Sequence, residues 1–161
     1  MNPVERVPRR GEPALPWCTG WARYWIQRDQ GDHTLIVAAQ CRIVGVGGVE
    51  LALFDTGAQW SLVGGELAEL ARPHSDPLRS RIEFRTRLGT FHGELRRLTL
   101  DLLADEGSDL SIPATVLFLP DWPGPSVVLG YRGLLEWIRF AFDPGCSDSD
   151  QWFCFGGSHT E

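Results

Sequence analysis

The sequence predicts a mostly β protein whose many short strands pack into a closed, barrel-like fold with one or two short helices. Short apolar runs recur along the 161 residues and are separated by turns rich in Gly, Pro and Asp. In the middle of the chain apolar and charged residues alternate, which is typical of a strand with one face in water. No internal repeat interrupts this pattern.

The elements follow from these runs and turns. Strands are predicted at 21–26, 34–41, 49–54, 82–88, from 95 onward, and at 112–119, 126–129, 140–143 and 151–155. The strand 49–54 has apolar residues on both faces, which predicts burial on both faces. A glycine-flanked segment, Gly89–Gly93, is expected to break the strand that precedes it. Helical spacing of apolar residues predicts short helices at 65–72 and directly after Gly130.

Size and charge limit the function classes. The length suits one domain, and we expect an irregular Pro- and Arg-rich arm at 1–20 followed by a single domain at 21–161. The net charge of -6 argues against nucleic-acid binding. No apolar run approaches the roughly 18 residues that a membrane span needs, and no signal-peptide pattern is seen. We therefore expect a cytoplasmic protein without a membrane partner.

The metal-binding residue types are scattered. Cys18, Cys41, Cys146 and Cys154 form no pair with metal-type spacing, and the four histidines occur singly. No metal and no cofactor are therefore predicted. Cys146 and Cys154 could face each other across a C-terminal hairpin, and they would remain thiols in a reducing compartment.

The candidate catalytic residue is Asp55, in Asp55-Thr56-Gly57 at the end of the strand 49–54. This tripeptide alone also fits an ordinary strand-ending turn, because Asp and Gly favour turns. Three further features favour a site: Ala58 extends the motif, Val127–Gly130 is an apolar run ending in Leu-Gly, and Gly89–Gly93 lies between the two.

Taken in order, Leu53–Ala58, the flap-like Leu88–Gly93 and Val127–Gly130 resemble the retropepsin family, the single-domain aspartic proteases of retroviruses, and their bacterial relatives. The resemblance covers about residues 34 to 142. It implies a closed acid-protease fold that hydrolyses peptides or proteins with water held between two aspartates. The chain has one such motif, and two carboxylates must share a proton for this chemistry, so an identical subunit has to supply the second.

The resemblance also implies roles for individual residues. Asp55 would be general base in one subunit and general acid in the other, and Thr56 would reach across the subunit interface. Gly57 would let the substrate backbone approach. Ala58 lacks a hydroxyl that could donate to an ionised carboxylate, which predicts a mildly acidic optimum.

Two further sets of residues complete the predicted site. The substrate-binding residues would be Gln59, Trp60, Gly89, Thr90, Phe91, His92 and Gly93. The second motif would be Val128, Leu129 and Gly130, where Gly130 lets the following helix pack beneath the active-site loop.

Some positions depart from the family or stay open. Viral retropepsins have an aspartate at the place of Gln59 that pairs with an arginine beyond the second motif, so this ion pair is expected to be absent or rebuilt. Trp60 could line a subsite or belong to the core. His92 could contact substrate, but a histidine in such a hairpin more commonly faces solvent.

The arginine cluster and the aromatic segments each allow more than one interpretation. The arginines Arg79, Arg81, Arg85, Arg87, Arg96 and Arg97 form either a solvated strand face or a surface that attracts acidic peptides. The dimer interface could use strands 140–142 and 151–155 or the aromatic arm 17–25, and the arm could instead cover its own barrel.

Two alternatives to an active protease remain. One is a retropepsin-like module that dimerises or binds peptides with little or no proteolysis. The other is an unrelated β-barrel binding module in which Asp-Thr-Gly is an accidental turn.

Overall fold

The structure, a computed structural model, describes residues 15–28, 35–86, 89–145 and 151–158. Leu88 of the predicted flap-like segment and Cys146 lie outside these residues. The division into an arm at 1–20 and a domain at 21–161 stays a prediction. Within the arm, Thr19 N–H donates to the Phe155 carbonyl at 3.0 Å, so its last residues lie along the C-terminal strand.

The described residues form twelve strands and one α-helix. The strands are β1 (Gly20–Arg23), β2 (Trp25–Arg28), β3 (Leu35–Ile43), β4 (Glu50–Phe54), β5 (Ser61–Gly64), β6 (Asp76–Thr86), β7 (Gly89–Leu102), β8 (Glu106–Gly107), β9 (Leu110–Leu119), β10 (Val127–Leu129), β11 (Ile138–Asp143) and β12 (Trp152–Gly157). The helix α1 covers Gly65–Ala71, and two 3-10 helices cover Arg72–His74 and Leu135–Trp137.

Six of these strands close into a ring in the order β3, β4, β10, β5, β9 and β7, because β7 pairs back to β3. Strand β2 continues the sheet beside β3, and β6 forms a long antiparallel hairpin with β7. The prediction of a mostly β fold with closed packing and one or two short helices is confirmed.

Strand β10 occupies a special place in the ring. It lies between β4, to which it is parallel, and β5, to which it is antiparallel. Strands β4 and β5 follow one another in the sequence, so the segment 55–60 that joins them must pass over the end of β10. The Asp-Thr-Gly motif lies in that segment, beside the second predicted motif.

A second, four-stranded sheet in the order β11, β12, β1, β8 packs against the ring. Its residues Phe153 and Phe155 are fully buried in the main core. Phe54, the last residue of β4, touches Phe153 at 4.4 Å and Phe142 at 5.1 Å between ring centroids. The end of the strand that carries Asp55 therefore rests on aromatic side chains of this second sheet.

Strand burial differs from the prediction at β4. Within it Ala52 is fully buried, whereas Leu51 is 51% exposed and the preceding Val49 is 54% exposed. The prediction of burial on both faces is wrong, because only one face of β4 points into the ring. An apolar run shows that a strand can be buried, but the cover over its second face depends on the rest of the fold.

Strand continuity also differs from the prediction. Residues Gly89–Gly93 do not break a strand, since they are the first part of the fourteen-residue β7. Gly93 is required inside the ladder because a Cβ there would lie 2.2 Å from the Phe118 carbonyl oxygen. The predicted strand 21–26 is divided at Tyr24 between β1 and β2, which belong to different sheets.

The helix predicted after Gly130 is only a short 3-10 turn, Leu135–Trp137. Gly133 has a positive φ of 76°, and Leu134 has φ -146° and ψ -74°, so the backbone is not α-helical there. Leu134 and Leu135 are nonetheless fully buried. The spacing of the apolar residues fits this irregular turn as well as a helix, because the turn also brings these side chains into the core.

Candidate active site

The Asp55 side chain is exposed at the end of β4 and is oriented by its own loop. Its Oδ1 accepts hydrogen bonds from the backbone N–H groups of Gly57, at 3.0 Å, and Ala58, at 3.1 Å. Among the described residues, no hydrogen-bond donor to Oδ2 is found. One carboxylate oxygen is thus held by the backbone while the group faces solvent, which leaves it accessible to water or a ligand.

The end of β10 holds this loop in place. Asp55 N–H donates to the Leu129 carbonyl at 3.1 Å, and Tyr131 N–H donates to the Ala58 carbonyl at 3.0 Å. Val128, beside Leu129, is buried in a smaller apolar cluster next to the loop. The structure therefore brings the two sequence motifs together, and the second motif supports the first through backbone bonds.

Gly130 is where the two segments approach most closely. Its N–H donates to the buried Ser61 Oγ at 3.0 Å, and an added Cβ would lie 2.3 Å from the Trp60 carbonyl oxygen. The glycine is therefore needed for backbone contact with 60–61, whereas the predicted role was to admit a helix beneath the loop. The sequence analysis also did not identify Ser61, because a single serine after the Asp55 loop belongs to no recognisable motif.

The two other loop positions are exposed. Thr56 and Gly57 both face solvent. A Cβ at residue 57 would lie 3.2 Å from Asp55 Oδ1, a tight contact next to the carboxylate. A side chain at residue 57 would therefore displace the Asp55 carboxylate by a few tenths of an ångström, and the approach of a substrate backbone to Gly57 stays a prediction.

The ion pair expected from the family is replaced by a different contact. Gln59 is exposed, and its carbonyl accepts the Arg132 N–H at 2.9 Å. The Arg132 guanidinium lies over the half-buried Trp60 ring, 5.7 Å from its centroid. Such a cation–π contact is worth about 0.5–1 kcal/mol at an exposed site. Arg132 therefore contacts the Asp55 loop through an aromatic ring, where the arginine of viral retropepsins pairs with a carboxylate.

A cleft opens beside Asp55 and has an apolar and a polar half. The apolar half is a cavity of about 200 Å³ that also reaches the carboxylate. It is lined by Leu53, Asp55, Ala58, Trp60, Leu62, Phe84, Thr86, Trp122, Pro125 and Val128. The polar half, of about 510 Å³, is lined by Asp55, Gly57, Ala58, Gln59, Glu83, Phe84, Arg85 and Thr86.

The lining includes one predicted residue and several that were missed. Trp60 lines the cavity and also packs against the smaller apolar cluster, and its role in a substrate subsite stays a prediction. Phe84 and Thr86 were not predicted, although their alternation on β6 shows that they share a face. Trp122, in the turn 121–125, was not predicted either, because a turn tryptophan gives no hint of its neighbours.

Residues 83–86 of the β6–β7 hairpin form one wall of the cleft. Strand β7 pairs with β9 only from Glu94 onward, while its pairing with β6 continues to Thr86 and Gly89. Residues 82–86 and 89–93 therefore extend beyond the ring as a two-stranded ribbon. The predicted flap segment Gly89–Gly93 therefore belongs to one strand of a hairpin, and residues 82–86 of β6 form the other strand.

Of the predicted flap residues, Gly89, Thr90 and His92 are exposed, and none of the five at 89–93 lines either half of the cleft. Phe91 instead packs on Trp122, with 5.1 Å between ring centroids. Its effect on the cleft is therefore indirect, through the tryptophan that forms a wall. Direct substrate contact by 89–93 stays a prediction.

The arginines near the hairpin are partly neutralised. Arg96 is buried and bound to Glu94 and to Ser75, while Arg72 also pairs with Glu94. Arg85 Nε lies 2.5 Å from Glu83 at the rim of the cleft. The side chains of Arg79, Arg81 and Arg87 lie outside the described residues. Arg85 and Arg96 thus have acidic partners within the chain, which weakens the predicted attraction of acidic peptides.

The described residues include no group of three His, Cys, Asp or Glu side chains close enough to share a metal. Burial, together with the nearby Glu50, raises the pKa of the Cys41 thiol to about 12. In the part of the chain that is described, no helix has the length and apolar character to span a bilayer.

Comparison with known proteins gives a limited result. No protein-family model matches the chain, and no curated protein does. Among solved structures, the chain is similar to the solution structure of simian foamy virus (mac) protease. The two share 17% identity with a TM-score of 0.38, over 62% of this chain and 92% of the viral one. A bacterial branch of the family stays a prediction.

Proposed function

We propose that the chain is one subunit of a homodimeric aspartic endopeptidase in which Asp55 of each subunit activates a shared water. The observation that carries this proposal is the exposed Asp55 carboxylate, which two backbone N–H groups hold in a cleft bordered by residues 83–86 of the hairpin. A carboxylate so placed meets the geometric demand for general base catalysis on a bound ligand.

The chemistry requires a second subunit. Two carboxylates about 3 Å apart share one proton, since both cannot ionise at that distance. The ionised member then takes a proton from water while the protonated member donates to the peptide carbonyl. Glu83 also lines the cleft, but it is engaged by Arg85 at 2.5 Å. A second Asp55 across a two-fold axis provides an equivalent acid.

The apolar half of the cleft indicates the substrate. Leu53, Leu62, Phe84 and Trp122 surround a cavity of about 200 Å³ next to the carboxylate. This space suits one large apolar side chain, and burial of such a side chain contributes about 1.5–3 kcal/mol. We therefore expect cleavage of peptides beside a bulky apolar residue.

The test compares the purified protein with Asp55→Asn on a diverse peptide pool across pH. Loss of one acid–base group should lower the cleavage rate by at least about 10²–10⁴-fold. Asp76→Asn, an exposed change at the start of β6, is the matched control and should leave the rate unchanged. Equal cleavage by the parent and Asp55→Asn would contradict the proposal.

The pH profile gives a second measurement. The rate should fall on both sides of a mildly acidic optimum, because the doubly protonated and doubly ionised pairs each lack one required group. If neither protein cleaves any peptide although the parent forms a dimer, the alternative of a peptide-binding or dimerisation module is favoured.

A further inference from the structure

The second sheet ends in the edge strand β11. Among the described strands, β11 pairs only with β12, so one side of its six residues has no strand neighbour. At the opposite edge, β8 has just two residues and includes Gly107 with a positive φ. Long unpaired edges are sites where another chain adds, and short or twisted ones are protected.

The sequence of β11 is self-complementary. It contains Arg139-Phe140-Ala141-Phe142-Asp143. The two phenylalanines flank Ala141, and the two outer residues carry opposite charges at equal distances from it. If two copies pair antiparallel with Ala141 on the two-fold axis, Arg139 lies opposite Asp143 of the partner subunit, and Phe140 lies opposite the partner's Phe142. This register therefore creates two charge pairs and two aromatic pairs.

The side chains are available for these pairs. Arg139 is exposed and forms no ion pair with any residue that the structure describes. Asp143 is half-buried, and its Oδ1 accepts the Gly145 N–H at 2.9 Å. Phe142 is 39% exposed, which is unusual for a phenylalanine inside an aromatic cluster.

We propose that β11 is the interface between two copies of this chain, joined edge to edge through Ala141 into one continuous eight-stranded sheet. This inference rests on the proposed function, because a single copy lacks the second carboxylate. The other candidate strands, β1 and β12, already have neighbours on both sides within the chain. They are therefore not open to a partner.

The proposed axis lies close to the active-site strand. Phe54, which precedes Asp55, meets Phe142 edge-on at 5.1 Å, and Phe142 is adjacent to the axial Ala141. A two-fold axis perpendicular to a sheet leaves the same face of both halves on the same side. The aromatic faces of both copies, each with its Asp55 loop, would thus lie on one side of the joined sheet.

Charge reversal provides the decisive experiment. Arg139→Asp alone would place two Asp–Asp pairs in the interface, and Asp143→Arg alone would place two Arg–Arg pairs. Each variant should raise the dimer dissociation constant by about tenfold or more, measured by sedimentation. An equimolar mixture of the two variants should dimerise again, because both pairs then regain opposite charges. Arg97→Asp, an exposed change on β7, should have no effect.

A cross-link tests the axis without charge changes. Because Cys154 lies opposite residue 141 on β12, the test uses Cys154→Ala as its background. In that background Ala141→Cys should form an intersubunit disulfide on mild oxidation, because the two copies of residue 141 face each other. Arg139→Cys and the parent chain should not form one. Absence of the Ala141→Cys cross-link, or a mixture that stays monomeric although both variants keep the parent's thermal unfolding, overturns the interface.

The two proposals fail in different ways. A dimer that responds to charge reversal as expected but cleaves no peptide would leave the interface standing and overturn the protease. A parent that cleaves peptides as a dimer, with dimerisation insensitive to residues 139, 141 and 143, would overturn only the interface.

Discussion

Replacement of Gly130 by alanine is expected to damage both the stability of the fold and the loop that carries Asp55. The added Cβ would lie 2.3 Å from the Trp60 carbonyl oxygen and 2.7 Å from the Ser61 nitrogen. Non-bonded contacts of carbon lie at about 3.5 Å, so the two backbones must separate by roughly 1 Å. Both neighbours are main-chain atoms, and no side-chain rotation can relieve the overlap.

The expected loss of stability follows from the hydrogen bonds that join these two backbone segments. Gly130 N–H to Ser61 Oγ and Tyr131 N–H to the Ala58 carbonyl are both 3.0 Å long. A separation of about 1 Å would stretch them beyond hydrogen-bonding distance. One lost buried hydrogen bond costs about 1–3 kcal/mol, and overpacking costs about 1–3 kcal/mol. We therefore expect the free energy of unfolding to fall by about 2–6 kcal/mol.

Urea denaturation and a peptide-cleavage assay together test the predicted effects of Gly130→Ala on stability and on the Asp55 loop. Gly47→Ala is the matched control, because a Cβ at residue 47 meets nothing within 4 Å. The control should unfold like the parent, whereas Gly130→Ala should unfold at lower urea and cleave about 10²-fold more slowly, since the carboxylate is misplaced. Equal unfolding midpoints for the two variants would refute the packing argument, and full cleavage by Gly130→Ala would refute its link to the site.

Three shorter predictions concern other parts of the molecule. Trp122→Ala removes a wall of the apolar cavity and should raise KM mainly for peptides with a bulky apolar residue, while a peptide with alanine there is little affected. Ser61→Ala leaves the Gly130 N–H without its partner and should lower stability by about 1–3 kcal/mol in thermal unfolding. Cys41, whose thiol pKa is raised from 9.0 to about 12, should be alkylated at pH 9 roughly 500-fold more slowly in the native protein than in urea, because only the thiolate reacts. Its contribution to stability is complete below pH 9 and is lost as the pH rises towards 12, and equal alkylation rates in both states would contradict this.

The sequence predicts most strands because their patterns are local. The alternation near Phe84 and the apolar run near Leu117 depend only on neighbouring residues, and β6 and β9 are found there. The strand β5 was missed, since Ser61–Gly64 is short and adjoins the Asp loop. Its burial depends on β9 and β10, which lie more than fifty residues away.

The site could be predicted in part for the same reason. Asp55 and Gly130 belong to recognisable motifs, and the structure places them side by side. The position of Arg132 over Trp60 depends on a three-dimensional contact, and the sequence indicated only that the ion pair of viral retropepsins would be absent or rebuilt. Trp122 reaches the cleft from a turn whose sequence indicates only a change of direction. Contacts between distant segments therefore account for what the sequence alone did not predict.

The position of β10 between β4 and β5 has a consequence for folding during synthesis. The strand at Val127–Leu129 leaves the ribosome long after the strand that carries Asp55, so the Asp55 loop lacks its main support until most of the chain has been made. Contacts between segments this far apart in sequence form slowly, because a long loop must close first. The nascent chain thus acquires the Asp55 loop geometry only after Val127–Leu129 has been made, and a product truncated before Val127 would not acquire it.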